Sequence, residues 1–202
     1  LLIAFTFSGA ASRFEARRHL ITEEANAIGT AYLRIDLLPV EAQPELRELF
    51  QHYLDARLAA YSNMEDQAAT KTKLAETGVL QGQIWARELA AIRSGDPPPP
   101  AQVVVPALNA MFDIATTRTM ATRNHPPLIT YALMFAVSLM GSVLLGHNMS
   151  VNKGRSWPFK LAFAATMATA VFVIIELEFP RVGLIQVAGV DQVLIDLRKS
   201  MQ

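Results

Sequence analysis

The sequence predicts an all-α membrane protein with two complete transmembrane helices, a third truncated at the amino terminus, and a cytoplasmic helical domain between them. Of its 202 residues, 51% are hydrophobic and 18% are charged, whereas soluble domains contain about 25% charged residues. The hydrophobic residues are concentrated in long uncharged runs near the ends of the chain. Between these runs the apolar residues recur at helical spacing, and no alternating strand pattern is visible.

The first segment, Leu1–Ala11, is apolar and is followed by Arg13. We interpret residues 1–12 as a partial transmembrane helix whose beginning is missing, and the missing part could hold a further helix. A signal peptide is the alternative, but its positive charges precede the apolar stretch, whereas here they follow it.

The region 13–125 is predicted to be a cytoplasmic helical domain. A long helix should continue from Arg13 to Leu38, because Pro39 disfavours its extension. The next helix, from Glu45, carries one apolar stripe at steps of three and four residues, formed by Leu46, Leu49, Phe50, Tyr53, Leu54, Leu58 and Tyr61.

Further along this region we expect helices over Val79–Ile92, from Leu80, Ile84, Trp85, Leu89 and Ile92, and over Val104–Thr122. The four prolines at 97–100 separate them as a stiff polyproline spacer, or as a ligand for a proline-binding module. A second break is expected at His125-Pro126-Pro127.

Residues 126–180 are predicted to form a transmembrane helical hairpin. Leu128–Gly146 is almost wholly apolar and would extend roughly 28 Å as a helix, close to the hydrocarbon thickness of a bilayer. Leu161–Ile175 would extend roughly 22 Å, and Trp157, Lys160, Leu177 and Phe179 can lengthen it at its ends. The alternative is a pair of core helices in a soluble protein, which would need an unusually large core.

Positive residues near the span ends predict the orientation. Five arginines flank the central region, namely Arg13, Arg17, Arg18, Arg118 and Arg123, and Arg181 begins the tail. The loop between the complete spans has Lys153, Arg155 and Lys160. We therefore predict a bacterial inner-membrane protein with the central region and the tail 181–202 in the cytoplasm and the Asn148–Trp157 loop outside.

Composition and motifs indicate a protein that is not an enzyme. The chain has no cysteine, and its 18 basic residues balance 18 acidic ones, so neither a thiolate site nor nucleic-acid binding is expected. Phosphate-binding, metalloprotease and serine-hydrolase motifs are absent from the sequence. The four histidines lack metal-ligand spacing, and we expect no cofactor or metal. Glu23 and Glu24 are expected on a solvated helix face.

Two polar pairs are candidates for an ion path. Glu176 and Glu178 lie at the end of the last span beside Phe179-Pro180-Arg181, and ionisable groups in spans usually face a bundle interior or a water path. Interfacial anchoring, or pairing with Arg181, is the alternative. Asn109 and Asp113 share one helix face and could line a vestibule or form ordinary interhelical hydrogen bonds.

Three stretches, Phe5–Pro39, Leu108–Pro127 and Ile174–Val187, together resemble the bestrophin-like family of bacterial integral membrane proteins. The block from Arg17-Arg18 to Glu24-Ala25-Asn26 is the most specific part. The family takes its name from bestrophin anion channels, which are pentamers with cytosolic helices between two pairs of spans. No calcium-binding acidic cluster or aromatic pore neck can be matched here.

The spans contain many small residues, such as Ala132, Ala136, Ala162, Ala165 and Ala168, which favour close helix packing. With the resemblance, this predicts a homo-oligomeric ion channel or pore whose partners are the lipid bilayer and inorganic ions. The alternative is a membrane-anchored helical scaffold without transport activity, supported by the Tyr53/Tyr61 stripe and the proline spacer.

Overall fold

The computed structural model describes residues 2–62, 67–95, 101–151, 157–179 and 188–201, and these residues are almost entirely helical, with no strand among them. The elements are α1 (Leu2–Leu33), a 3-10 turn (Arg34–Leu37), α2 (Gln43–Ser62), α3 (Gln67–Ser94), α4 (Ala101–Arg123), α5 (Leu128–Val151), α6 (Trp157–Glu178) and α7 (Ala188–Ser200). The prediction of an all-α fold is confirmed.

The chain divides into two compact units. The span unit consists of Leu1–Ala16 and Arg123–Gln186, and the helical unit consists of Arg17–Thr122 and Val187–Gln202. The helical unit lies mostly within residues 13–125. The predicted tail also contributes to that unit through α7, which the sequence analysis did not anticipate.

Helix α2 is the centre of the helical unit, because it packs against α3, α7 and the 3-10 turn. Its predicted apolar stripe is buried at Leu46, Phe50, Tyr53, Leu54 and Tyr61, while Leu49 and Leu58 are half-buried. The periodicity therefore identified both the helix and its packing face.

Helix α3 begins at Gln67, twelve residues before the predicted start at Val79. The early turns are mostly polar, and the ion pair between Lys73 and Glu76, three residues apart, supports the helix there. They carry no apolar stripe, so hydrophobic periodicity could not reveal them. The buried face also differs from the predicted one, since Trp85, Leu89 and Ile92 are only half-buried.

Both predicted proline breaks among the described residues are present. Leu38 has φ −92° and ψ 161°, the extended conformation that a following proline requires, and residues 124–127 separate α4 from α5. The tetraproline stretch 97–100 lies outside the described residues.

The span unit contains helices α5 and α6, which pack against each other. Two helical stretches are long and apolar enough to cross a membrane, one within Ala101–His147 and the other Trp157–Glu178, and only 6% of each apolar window is buried within the structure. A core helix of a soluble protein would be mostly buried. The exposed side chains include Leu128, Ile129, Leu139 and Val143, as expected for helices in contact with lipid.

A small core joins the three helical parts of the span unit. It consists of Ala10 from α1, Met134 from α5, and Val171 and Ile174 from α6. Helix α5 extends to Val151, so the predicted outer loop is shorter than Asn148–Trp157, and residues 152–156 lie outside the described part of the chain.

Helix α7 is the last described element, and it packs against α2. Leu194 is buried, whereas Gln192, Asp196 and Lys199 are exposed, which gives this helix two distinct faces. The hydroxyl of Tyr32 and the amide of Gln51 both donate hydrogen bonds to the carbonyl oxygen of Met201, at 3.2 and 2.6 Å. The end of the chain is thereby fixed to α1 and α2.

Candidate functional site

A buried carboxylate lies at the end of the last apolar helix. Glu178 is the final residue of α6, and its side chain is 1% exposed. The Nε atom of Arg13 donates to its two carboxylate oxygens at 3.2 and 3.0 Å, and Nη2 of the same guanidinium lies 3.0 Å from Oε2. Such a bidentate, charge-assisted pair offsets much of the cost of removing the carboxylate from water.

The break between α4 and α5 supplies a third member of this site. His125 Nδ1 lies 3.1 Å from Glu178 Oε1, and its ring stacks on Phe179 with centroids 4.8 Å apart and an interplanar angle of 21°. Because Pro126 and Pro127 keep this segment non-helical, the imidazole can reach the end of α6. We call Arg13, His125, Glu178 and Phe179 the Glu178 cluster.

The Glu178 cluster is partly accessible to solvent. The side chains of Arg13 and His125 are 31% and 32% exposed, although the carboxylate between them is buried. An ion at this surface would meet the guanidinium of Arg13 and the imidazole of His125, each of which lies within hydrogen-bond distance of the buried carboxylate. The arrangement can bind or relay charge, and it lacks an activated nucleophile.

The structure brings only one of the four predicted ion-path residues into this cluster. Glu176 is half-buried, and two residues along a helix it projects about 200° away from Glu178. Asn109 and Asp113 are exposed on one face of α4, in the helical unit. Their roles stay predictions, as does that of Glu176. Pairing with Arg181 concerns a residue outside the described ranges.

A second polar cluster lies inside the helical unit, and it corrects one expectation. Glu24 was expected in solvent, but it is 0% exposed and binds two arginines. Arg57 Nε lies 2.6 Å from Oε1, and Arg118 Nη1 lies 2.5 Å from Oε2. Glu23, its neighbour, is 46% exposed beside His19, as expected.

The remaining partners balance the charge of this cluster. Arg118 Nη2 donates to Asp191 at 3.0 Å, and Arg57 Nη2 donates to the hydroxyl of Tyr61 at 2.7 Å. The guanidinium of Arg118 lies 3.7 Å from the centroid of the Tyr61 ring. These five residues, here called the Glu24 network, join α1, α2, α4 and α7. Their internal pairing indicates a structural role.

Hydrophobic periodicity could have revealed Glu24. It lies three residues after Ile21 and four before Ile28, both buried, so it falls on the apolar face of α1. A charged residue at such a position requires a partner, and the sequence offered several arginines without indicating which ones meet it.

A surface ion pair between α7 and α2 is expected to contribute little to stability. Arg198 Nε and Nη2 bind Asp55 at 2.8 and 3.1 Å, but the carboxylate is 51% exposed. We expect Arg198→Ala to lower the free energy of unfolding by about 1 kcal/mol or less. Urea unfolding of the full chain in detergent, followed by Trp85 fluorescence in a Trp157→Phe background, measures this. A loss several times larger would contradict the prediction.

Among the described residues, no group of three or more histidine or acidic side chains could hold a metal ion.

Comparison with known proteins identifies the family. No curated protein and no solved structure matches the chain. The family model of the bestrophin-like domain matches residues 1–190, nearly the whole sequence. This chain is therefore a membrane protein that belongs to the bestrophin-like family.

Proposed function

We propose that the protein is one subunit of an oligomeric, ion-conducting pore in the bacterial inner membrane, with its helical unit in the cytoplasm. The Glu178 cluster is the observation that carries this proposal. Ionisable groups at the end of a span are costly to desolvate, and they are retained where they face water or the interior of a bundle. Here a buried carboxylate is held between two partly exposed groups, the guanidinium of Arg13 and the imidazole of His125.

The surfaces of the apolar helices support assembly into an oligomer. A groove of about 520 Å³ in the span unit is lined by Phe7, Val173 and four small residues of α6, namely Ala165, Thr166, Thr169 and Ala170. Small residues allow the close approach of a further helix, and a shared central pore requires a ring of subunits.

Ion flux through liposomes containing the full-length protein tests the pore. We expect Glu178→Gln to reduce flux at least about tenfold, because a charged hydrogen-bond partner contributes roughly 1.5 kcal/mol or more and about 1.4 kcal/mol corresponds to tenfold. Glu76→Gln, an exposed glutamate of α3, is the matched control and should conduct normally. Glu176→Gln and Asp113→Asn test the other predicted residues, and reduced flux in either supports its place in the path.

Absence of conductance under every ionic condition would remove the pore proposal. A monomer in detergent or nanodiscs would also count against it, and would favour the alternative of a membrane-anchored scaffold. That alternative has lost one of its supports, since Tyr53 and Tyr61 are 0% and 5% exposed within the helical unit and are not available to a partner.

A further inference from the structure

Glu88 lies on the packing face of α3. The buried residues of this helix recur at steps of three and four, and they are Thr77, Leu80, Ile84, Glu88 and Ala91. Glu88 is 1% exposed, although four residues before it the same face carries a fully buried isoleucine. A carboxyl group therefore lies where the pattern of the helix calls for an apolar side chain.

This carboxyl group differs from the two buried glutamates described above. Glu24 binds two arginines, and Glu178 binds Arg13 and His125. The Oε2 atom of Glu88 has no hydrogen-bond partner in the part of the chain that the structure describes. A buried carboxylate without a partner is strongly disfavoured, whereas the protonated acid is tolerated.

The charged groups nearby on the two packed helices either bind other residues or, like Arg93 of α3, are exposed. Helix α3 packs against α2, and Arg87, next to Glu88, binds Glu45 of α2 at 2.7 Å on the surface. Arg47 binds Asp36 and lies over the ring of Tyr32. The remaining charged residue at this end of α2, Glu48, is exposed. Among the described residues, no cation neutralises Glu88.

Burial raises the pKa of Glu88 from 4.5 to about 8. Once α2 and α3 separate, the side chain meets water and the pKa returns to its ordinary value. Between these two values the separated state releases a proton that the packed state keeps. Raising the pH across that interval therefore favours separation, and lowering it favours packing.

We propose that Glu88 makes the contact between α2 and α3 pH-sensitive: the two helices stay packed while Glu88 is protonated, and they separate more readily as the pH rises through neutrality. The inference rests on the helical unit alone and does not depend on the proposed pore. In the helical unit, the packing of α3 against α2 would therefore depend on pH.

Hydrogen–deuterium exchange of the full-length protein in nanodiscs tests the proposal. After correction for intrinsic exchange, we expect protection of residues 79–92 to fall by up to tenfold per pH unit between about pH 5 and about pH 8 and then to level off. Glu88→Gln, which has the shape of the protonated acid, should keep the protection seen at low pH throughout. Glu76→Gln, on the exposed face of the same helix, should behave as the wild type.

Infrared spectroscopy provides a second readout. A carboxylic acid band at neutral pH that is lost in Glu88→Gln and kept in Glu76→Gln would support a protonated Glu88. Protection that does not change with pH in the wild type, or that falls equally in Glu88→Gln, would overturn the proposal. Either result would leave the flux predictions for Glu178 unaffected.

Discussion

Replacing Glu24 with alanine is expected to lower the free energy of unfolding of the helical unit by about 3–5 kcal/mol, because it leaves Arg57 and Arg118 buried without their shared carboxylate. Both guanidinium groups are 2–3% exposed, so neither can recover its hydration without movement of the helices. Asp191 and Tyr61 retain some contacts with them, but a single carboxylate cannot balance two buried cations.

The two tryptophans allow this loss to be measured in the correct unit. Trp85 lies in the helical unit and Trp157 in the span unit, so a Trp157→Phe background makes fluorescence report on the helical unit during urea unfolding. Glu23→Ala is the matched control, and since Glu23 is exposed, we expect a change within about 0.5 kcal/mol. Equal losses in the two variants would contradict the prediction.

A double variant separates charge balance from shape. Glu24→Ala combined with Arg57→Met removes one anion and one cation, and Arg118 keeps Asp191 as its partner at 3.0 Å. We expect this double variant to be more stable than Glu24→Ala alone, because no unpaired charge stays buried. A double variant less stable than the single one would show that lost packing dominates.

The second large effect is expected from Phe50→Ala. Phe50 is 0% exposed on α2, and its ring meets Tyr32 edge to face with centroids 5.9 Å apart. Truncation should lower the free energy of unfolding by about 3–5 kcal/mol, since it removes buried apolar surface and leaves a cavity in the packing face of α2.

The same fluorescence assay measures the effect of Phe50→Ala. Leu33→Ala is the control in the helical unit, because its side chain is 68% exposed and its truncation opens no cavity. We expect a change of about 0.5 kcal/mol or less for this control. A small loss for Phe50→Ala would mean that α2 and its neighbours rearrange to fill the space.

Apolar length, apolar spacing and proline positions in the sequence predicted the helices and breaks that depend on a single segment of the chain. The length and apolarity of Leu128–Gly146 identified α5, the stripe from Leu46 to Tyr61 identified α2, and the prolines at 126 and 127 located the break before the span. The early part of α3 and the whole of α7 were missed. The first lacks an apolar stripe, and the second has only 13 residues.

The polar sites required information that no local pattern contains. Glu24, Glu88 and Glu178 are all buried glutamates on helices, yet their environments differ completely. Glu24 meets Arg57 and Arg118, 33 and 94 residues away, and Glu178 meets Arg13, 165 residues away. Glu88 has no such arginine partner among the residues that the structure describes. Hydrophobic periodicity can show that an acidic residue lies on the apolar face of a helix, but it cannot show which residues of other helices pack against it.

The sequence by itself therefore determined the family, the membrane class and most of the helices, because residue composition, helix length and apolar spacing act within one segment. Only the tertiary structure decided which charges are paired, which are solvated and which carboxyl group is buried without a partner among the described residues. The physical reason is that the free energy of a buried charge depends on its neighbours in space, and here those neighbours come from distant parts of the chain.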